Sequence, residues 1–281
     1  MTDLPTGSAR VAGVTGWPVK HSLSPRLQGY WLKKHAVDGL YAPFPIEPES
    51  FDQAVRGLQA AGVKGLNVTV PHKLAAFRLA DRLDSAARMI GAVNTLVFHD
   101  DGSIEGRNTD APGFLANLRH YQVDVAAGPV LMFGAGGAAR AAVQALLDAG
   151  TPEIQIINRN RDNAEQLARD AASDRVRYCG QASEDIDLAR ISLVVNTTSL
   201  GMAGKGEIAL DVSALPKDAV VHDIVYVPMQ TDLLARAEAA GLKSVDGLGM
   251  LLHQAAPAFE AFFGVRPEVD EGLRSYLLEV L

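Results

Sequence analysis

The segment Gly134-Ala135-Gly136-Gly137-Ala138-Ala139 follows the apolar run Val130-Leu131-Met132-Phe133 and leads into an alanine-rich stretch. Gly134 permits a tight turn there, Gly136 brings bare backbone against a pyrophosphate, and the small Ala139 lets helix and strand pack closely. The N–H groups that open the helix then face the anion. The chemistry this predicts is dinucleotide binding. The next apolar run ends Ile156-Ile157-Asn158-Arg159. A cofactor with an unmodified ribose 2′-OH is ordinarily met at that place by Asp or Glu. Arg159, a planar fork suited to phosphate, and the neutral donor Asn158 predict NADP rather than NAD.

Two further segments carry polar groups at the ends of elements. In His21-Ser22-Leu23-Ser24-Pro25, Ser24 reads as a helix N-cap and Pro25 as its first turn, which leaves Ser22 as a spare hydroxyl where a carboxylate is favoured. In Asn67-Val68-Thr69-Val70-Pro71-His72-Lys73, polar side chains emerge at the carboxyl end of a strand, where open α/β sheets bind ligands. Taken singly, Lys73 reads as a solvated charge and Asp110 as a helix cap. The lone Cys179 reads as a small buried side chain rather than a nucleophile. The seven His include no H-x-x-x-H pair, which argues against a metal hydrolase.

These groups need elements to hold them. Short β-branched runs alternate with helical patterns, predicting an α/β protein with largely parallel strands. In the first half, strands are expected at 11–15, 41–46 (a proline-bearing edge), 65–70, 94–99 and 103–106, the last two joined by a tight Asp101-Gly102 turn. Helices are expected at 25–35, 51–61 and 73–80. A second series, with strands at 130–133, 153–158, 191–196, 220–225 and 243–245, makes a nearly complete doubly wound sheet. Its helices are expected at 138–149, 163–171 and 231–240. The stripe Leu251, Leu252, Ala255, Ala258, Phe259, Phe262 then predicts a helix that packs back on the first half, because such a tail is too small to fold alone.

With 281 residues, 26 basic and 33 acidic side chains and a net charge of −7, the chain has no basic patch for nucleic acid. The apolar stretch 130–147 is broken by glycines and Arg140, so no membrane partner is expected. The absence of a signal-like apolar run between Met1 and Arg10 makes a cytoplasmic location the expectation.

Taken together, His21–Pro25, Asn67–Lys73, Gly91-Ala92-Val93-Asn94-Thr95-Leu96, Asn108-Thr109-Asp110, Gly134–Ala138, Asn196–Met202, Asp223-Ile224-Val225-Tyr226 and Asp246–Leu251 with Gln254 resemble the shikimate dehydrogenase family, in order and over nearly the whole chain. The resemblance implies two α/β domains, a Rossmann-type doubly wound NADP-binding domain at 110–246 inserted into a discontinuous substrate-binding domain of 1–109 plus 247–281. It implies that Ser22, Ser24 and Tyr226 hold the shikimate carboxylate. Asn67, Thr69, Asn94, Asp110 and Gln254 would surround the ring hydroxyls, with Lys73 and Asp110 as the catalytic pair. NADP(H) would be held by Gly134, Ala135, Gly136, Gly137, Ala138, Asn158, Arg159, Thr197, Gly247 and Met250.

The implied reaction is reversible hydride transfer between nicotinamide and C3 of shikimate, in chorismate and aromatic amino-acid biosynthesis, by a monomer or homodimer. Gly113, Gly247 and Gly249 are expected as flexible points for closure. The sequence departs from the family at Asn163, where a second Arg is usual and for which Arg161 is the nearby substitute, and at Phe262, where Trp is usual. A quinate-active relative with broader substrate or cofactor use shares these motifs, and the serine pair favours shikimate by resemblance. A non-catalytic NADP-binding protein would not need Lys73 and Asp110, and both are present.

Overall fold

The two alternating series form two separate sheets in the computed structural model, which describes residues 4–184 and 186–281. One unit runs to Thr109 and resumes over Leu252–Val280, and the other is Asp110–Leu251. The chain returns to the first unit at Leu252, within the helix Leu248–Phe263.

The first unit contains β1 (Arg10–Gly16), α1 (Ser24–Lys34), β2 (Gly39–Pro45), α2 (Phe51–Ala60), β3 (Gly65–Val68), α3 (Lys73–Leu79), β4 (Arg82–Leu83), α4 (Ser85–Ile90), β5 (Thr95–Phe98) and β6 (Ile104–Arg107). Its sheet order is β2-β1-β3-β5-β6-β4. β1 lies parallel to β2 and β3, and β5 runs antiparallel to β3 and β6. Pro43 and Pro45 are tolerated in β2 because it is an edge strand, where a missing N–H breaks no ladder. Phe51, Val55, Leu66, Val68, Leu96 and Ile104 fill the core between this sheet and its helices. The β5–β6 connection is looser than a two-residue turn. Only Gly102 takes a positive φ, +81°, while the Gly102 N–H donates to the His99 carbonyl. β4 and α4 were not expected, being too short to show a period.

The second unit contains α5 (Asp110–His120), β7 (Val130–Phe133), α6 (Gly137–Asp148), β8 (Ile154–Ile157), α7 (Arg161–Asp170), β9 (Val176–Gly180), β10 (Leu193–Asn196), β11 (Val220–Asp223), α8 (Asp232–Ala239) and β12 (Lys243–Val245). Every strand pair is parallel, in the order β12-β11-β10-β7-β8-β9. β7, β8, β10 and β11 are buried at every residue, as unbroken apolar runs are when helices cover both faces. Consecutive order reverses between β7 and β10, so a crevice for ligands opens at their carboxyl ends. α5 and β9 escape the sequence pattern. Pro112 and Gly113 disguise the start of α5, where proline is harmless in the first turn, and β9 is an edge strand preceded by Arg175 and carrying Arg177.

Then come α9 (Leu248–Phe263) and α10 (Glu271–Leu278). Phe259 meets Trp31 of α1 edge-on at 5.5 Å, Trp31 Nε1 donates to the Glu268 carbonyl at 3.2 Å, and Tyr30 packs on Tyr276 at 5.3 Å. The tail therefore closes the first unit, and each fully buried ring contributes about 1.5–3 kcal/mol. Phe262 is buried against Gly65, whose Cβ would lie 2.4 Å from its ring, so the position usually held by Trp is a packing position here. Among the described residues no helix is long and apolar enough to cross a membrane.

Candidate functional site

The first unit gathers its polar residues at the ends of β1 and β3. α1 begins at Ser24 itself, so Ser24 is not the N-cap the sequence suggested. Leu23 precedes it in helical conformation without a side-chain cap, and Ser22 Oγ accepts the Ser24 N–H at 3.3 Å. Ser22 thus does the capping and keeps its proton to donate. Thr69 follows β3, its N–H on the Thr15 carbonyl and its own carbonyl accepting from the His72 N–H. Gly16 makes that approach possible, because a Cβ there would sit 2.5 Å from Thr69 Cγ2. His72 is buried, with Nε2 2.8 Å from the Ile46 carbonyl and its ring stacked on Phe51 at 4.6 Å. This anchor sets where Lys73 opens α3, and the Lys73 carbonyl accepts from the Val93 N–H beside Asn94.

Asn67 and Asn94, both buried, and the half-buried Gln254 join one cluster. Tyr41 Oη donates to Asn67 Oδ1 at 2.6 Å, and Asn67 Nδ2 donates to Thr95 Oγ1 at 3.1 Å. Thr95 Oγ1 donates to Asn94 Oδ1 at 3.1 Å, and the Thr109 N–H donates to that same oxygen at 2.9 Å. Asn94 Nδ2 reaches Thr109 Oγ1 at 2.9 Å and Gln254 Oε1 at 3.4 Å. Burial pushes the Tyr41 phenol well above its usual range, a hydrogen bond with Ser24 opposing it. Thr95 and Thr109 stand in motifs of the sequence without a role given to them, and Tyr41 stands in none. The available signal for Tyr41 was a tyrosine in an edge strand, whose hydroxyl must find a partner if its ring is buried.

The second unit builds its site from backbone. Gly134 takes φ +112° as the chain leaves β7, and its N–H donates to the Ile157 carbonyl. Thr197, just past β10, donates both its N–H and its hydroxyl to the Phe133 carbonyl at 2.8 and 2.7 Å. A Cβ on Gly134 would lie 2.5 Å from Thr197 Oγ1, so glycine turn and Thr197 are fitted to one another at the reversal of strand order. Gly136 is the exposed N-cap of α6 in extended conformation, without a side-chain cap, and is followed by Gly137 and Ala138. Open N–H groups over a bare backbone cradle fit a dinucleotide pyrophosphate. Ala135, in the same turn, is buried.

Past β8, Asn158 Nδ2 donates to the Asn160 carbonyl at 2.7 Å and Arg159 is exposed. α7 starts at Arg161, earlier than expected, because Asn160 caps it by accepting the Asn163 N–H at 2.9 Å. Asn163 contributes to this cap through its backbone, and Arg161 binds Glu165 at 2.6 Å on an exposed surface. Asp223, held by Asn196 at 2.9 Å and Thr231 at 2.8 Å, anchors the segment carrying Tyr226; burial raises both the Asp223 carboxyl and the Tyr226 phenol. Gly247 packs against that segment, its Cβ position 2.2 Å from the Ile224 carbonyl oxygen, and Gly249 against Asn117. Gly113 is buried inside α5. Met250 is buried in α9, and Asp110 is buried at the start of α5. Cys179 is only half-buried, on β9, and its partial burial raises the thiol.

Three family models match this chain. Residues 14–96 match the shikimate dehydrogenase substrate binding domain, 117–209 the shikimate / quinate 5-dehydrogenase model and 247–274 the shikimate 5′-dehydrogenase C-terminal domain. A shikimate dehydrogenase (NADP(+)) of Paramagnetospirillum magneticum is 54% identical, covering 97% of this chain and 99% of its own. A crystal structure of shikimate dehydrogenase in complex with NADP+ aligns with TM-score 0.91 at 33% identity, covering 99% of this chain and 97% of its own. A quinate dehydrogenase from Corynebacterium glutamicum in complex with NAD aligns with TM-score 0.88 at 30% identity, covering 96% and 99%.

Proposed function

Because the chain belongs to the shikimate dehydrogenase family, we propose that it catalyses the reversible NADPH-dependent reduction of 3-dehydroshikimate to shikimate, in chorismate and aromatic amino-acid biosynthesis. The observation that carries the reading is the cluster joining Asn67, Asn94 and Gln254, residues remote in sequence. A polyhydroxylated ring needs several amides held at fixed orientation, since a misplaced polar partner costs its full desolvation.

NADP(H), when bound, supplies or accepts the hydride. Gly134, Ala135, Gly136, Gly137, Ala138 and Thr197 would hold it at the open end of α6, with Asn158 and Arg159 on the 2′-phosphate and Gly247 and Met250 completing its site. Ser22, Ser24 and Tyr226 bind the substrate carboxylate as hydroxyl donors. Thr69 joins Asn67, Asn94 and Gln254 around the hydroxyls. Lys73 gives a proton to the substrate oxygen as the ketone is reduced, and takes it back in the reverse direction. Asp110 orients the lysine and the adjacent hydroxyl.

The test is a four-way assay of the purified enzyme, shikimate or quinate with NADP+ or NAD+, followed by reduced-cofactor absorbance. The highest kcat/KM is expected for shikimate with NADP+, and no turnover of shikimate would refute the reading. The quinate dehydrogenase among the structural neighbours, and the engagement of Arg161 by Glu165, give the second reading its interest. Comparable efficiency with quinate or NAD+ would favour it.

A further inference from the structure

One backbone N–H fixes the direction of the whole polar cluster in the first unit. The Thr109 amide can only donate, so the Asn94 atom 2.9 Å away is Oδ1, and Nδ2 is the atom facing Thr109 Oγ1 and Gln254. Thr95 Oγ1, 3.1 Å from Asn94 Oδ1, must then donate its proton to that oxygen. The Asn67 atom 3.1 Å from the same hydroxyl is therefore Nδ2, which leaves Asn67 Oδ1 to accept the Tyr41 proton at 2.6 Å. At the far end, the Gln254 atom facing Asn94 Nδ2 must be an acceptor, so its other polar end is the NH2. Along this path the bonds point one way, from the Tyr41 phenol through Asn67, Thr95 and Asn94 to Gln254. Bonds aligned head to tail in a dry interior polarise one another.

The intermediates in this chain are deeply buried, with Tyr41 6%, Thr95 0% and Thr109 5% exposed. We propose that Tyr41 and Thr95, together with Thr109, are positioning residues that fix which end of Asn67, Asn94 and Gln254 a substrate hydroxyl meets. The inference rests on the functional reading above and deepens it. Without the phenol proton, Asn67 Oδ1 loses its donor, and the amide loses one of the bonds that set its angle toward a substrate hydroxyl, while Thr95 still faces Nδ2. Without the Thr95 hydroxyl, Asn67 and Asn94 are uncoupled. Neither substitution removes a group assigned to the substrate or to the cofactor.

Tyr41→Phe and Thr95→Val are expected to raise the KM for shikimate about tenfold, with kcat and the KM for NADP+ changed less than about twofold. Thr95→Ser, which keeps the hydroxyl, is expected to keep the wild-type KM. Thermal melting of each variant separates lost stability from lost positioning. A lower melting temperature with an unchanged shikimate KM, or equal shifts in both KM values, would overturn the proposal, as would Thr95→Ser behaving like Thr95→Val. A wild-type enzyme that does not oxidise shikimate would instead overturn the functional reading itself, a result distinguishable from variants that merely match an active wild type.

Discussion

The glycine turn of the second unit and the amide cluster of the first solve the recognition problem with opposite materials. The turn uses almost no side chain. Gly134 at φ +112°, Gly136 at the helix start and the Thr197 bonds to the Phe133 carbonyl shape a cradle from main-chain atoms that are contiguous or belong to adjacent strands. The cluster is nearly all side chain, from Tyr41 to Gln254, oriented by a single amide N–H. A pyrophosphate is the same in every dinucleotide and needs only donors and room. A ring with several hydroxyls needs each amide end assigned. Under the proposed function, backbone would therefore serve the common ligand and a wired set of side chains the particular one.

The largest break in this comparison is expected where a side chain carries the chemistry itself. Lys73→Ala should reduce kcat about 10²–10⁴-fold while the shikimate KM moves much less, because general acid–base groups contribute that much and binding is spread over the cluster. Steady-state kinetics in both directions checks this. A variant with near wild-type turnover would remove lysine from the mechanism.

The two units also bury histidine differently. His72 is stacked on Phe51 with Nε2 on the Ile46 carbonyl, whereas His222 holds the Val245 carbonyl through Nδ1 and leaves Nε2 buried without a partner. Burial lowers His222 to about 4, against weaker raising effects of the Val245 bond and Asp246. The unfolded chain takes up this proton near pH 6.5 and the folded one only near 4. The group thus has no effect on stability above pH 6.5, and its destabilisation grows to about 3 kcal/mol as pH falls through that window. Denaturant titrations at neutral pH and near pH 4.5 should show this loss. His222→Asn, which keeps a donor for Val245, should flatten it.

A smaller effect tests the backbone cradle directly. Gly134→Ala forces a side chain into a positive φ and places a Cβ 2.5 Å from Thr197 Oγ1. Strain of about 1–3 kcal/mol should appear as a higher KM for NADP+, with the shikimate KM little changed. Equal shifts in both would mean that the two sites are less independent than their construction suggests.

These materials also decide what could be read from the sequence. A backbone site needs glycines at fixed places after a strand, so residues 130–139 announce it within one window. The doubly wound sheet was legible for the same reason, its central strands being unbroken apolar runs. The cluster has no such window. Its motif residues stood out as a family pattern, but Tyr41 looked like an ordinary strand residue and Thr95 had no role within its motif, because what distinguishes each is its bond to Asn67, remote in sequence. Ser24 was misread as a cap for a related reason. Both serines of 21–25 can cap, and only the position at which the helix closes assigns the task to Ser22.

Under the proposed function, Arg159 is the charged side chain assigned to the backbone-built site, and it sharpens the comparison with the smallest effect. Arg161, the nearest substitute for a second arginine, is bound to Glu165, and Asn163 is bonded through its N–H to Asn160. The 2′-phosphate preference is then expected to fall mainly on one exposed guanidinium, Arg159. An exposed charge–phosphate contact contributes less than a buried one, about a factor of ten in affinity rather than several hundred. Arg159→Gln should lower the ratio of kcat/KM for NADP+ over NAD+ by about that factor, chiefly by raising the KM for NADP+. Activity with NAD+ should be unchanged, since the glycine turn that meets the shared pyrophosphate is intact. Breaking the Arg161–Glu165 pair with Glu165→Gln should move the ratio the other way if the released arginine reaches the phosphate. An unchanged ratio in Arg159→Gln would mean that cofactor choice, like cofactor binding, is set by the main chain.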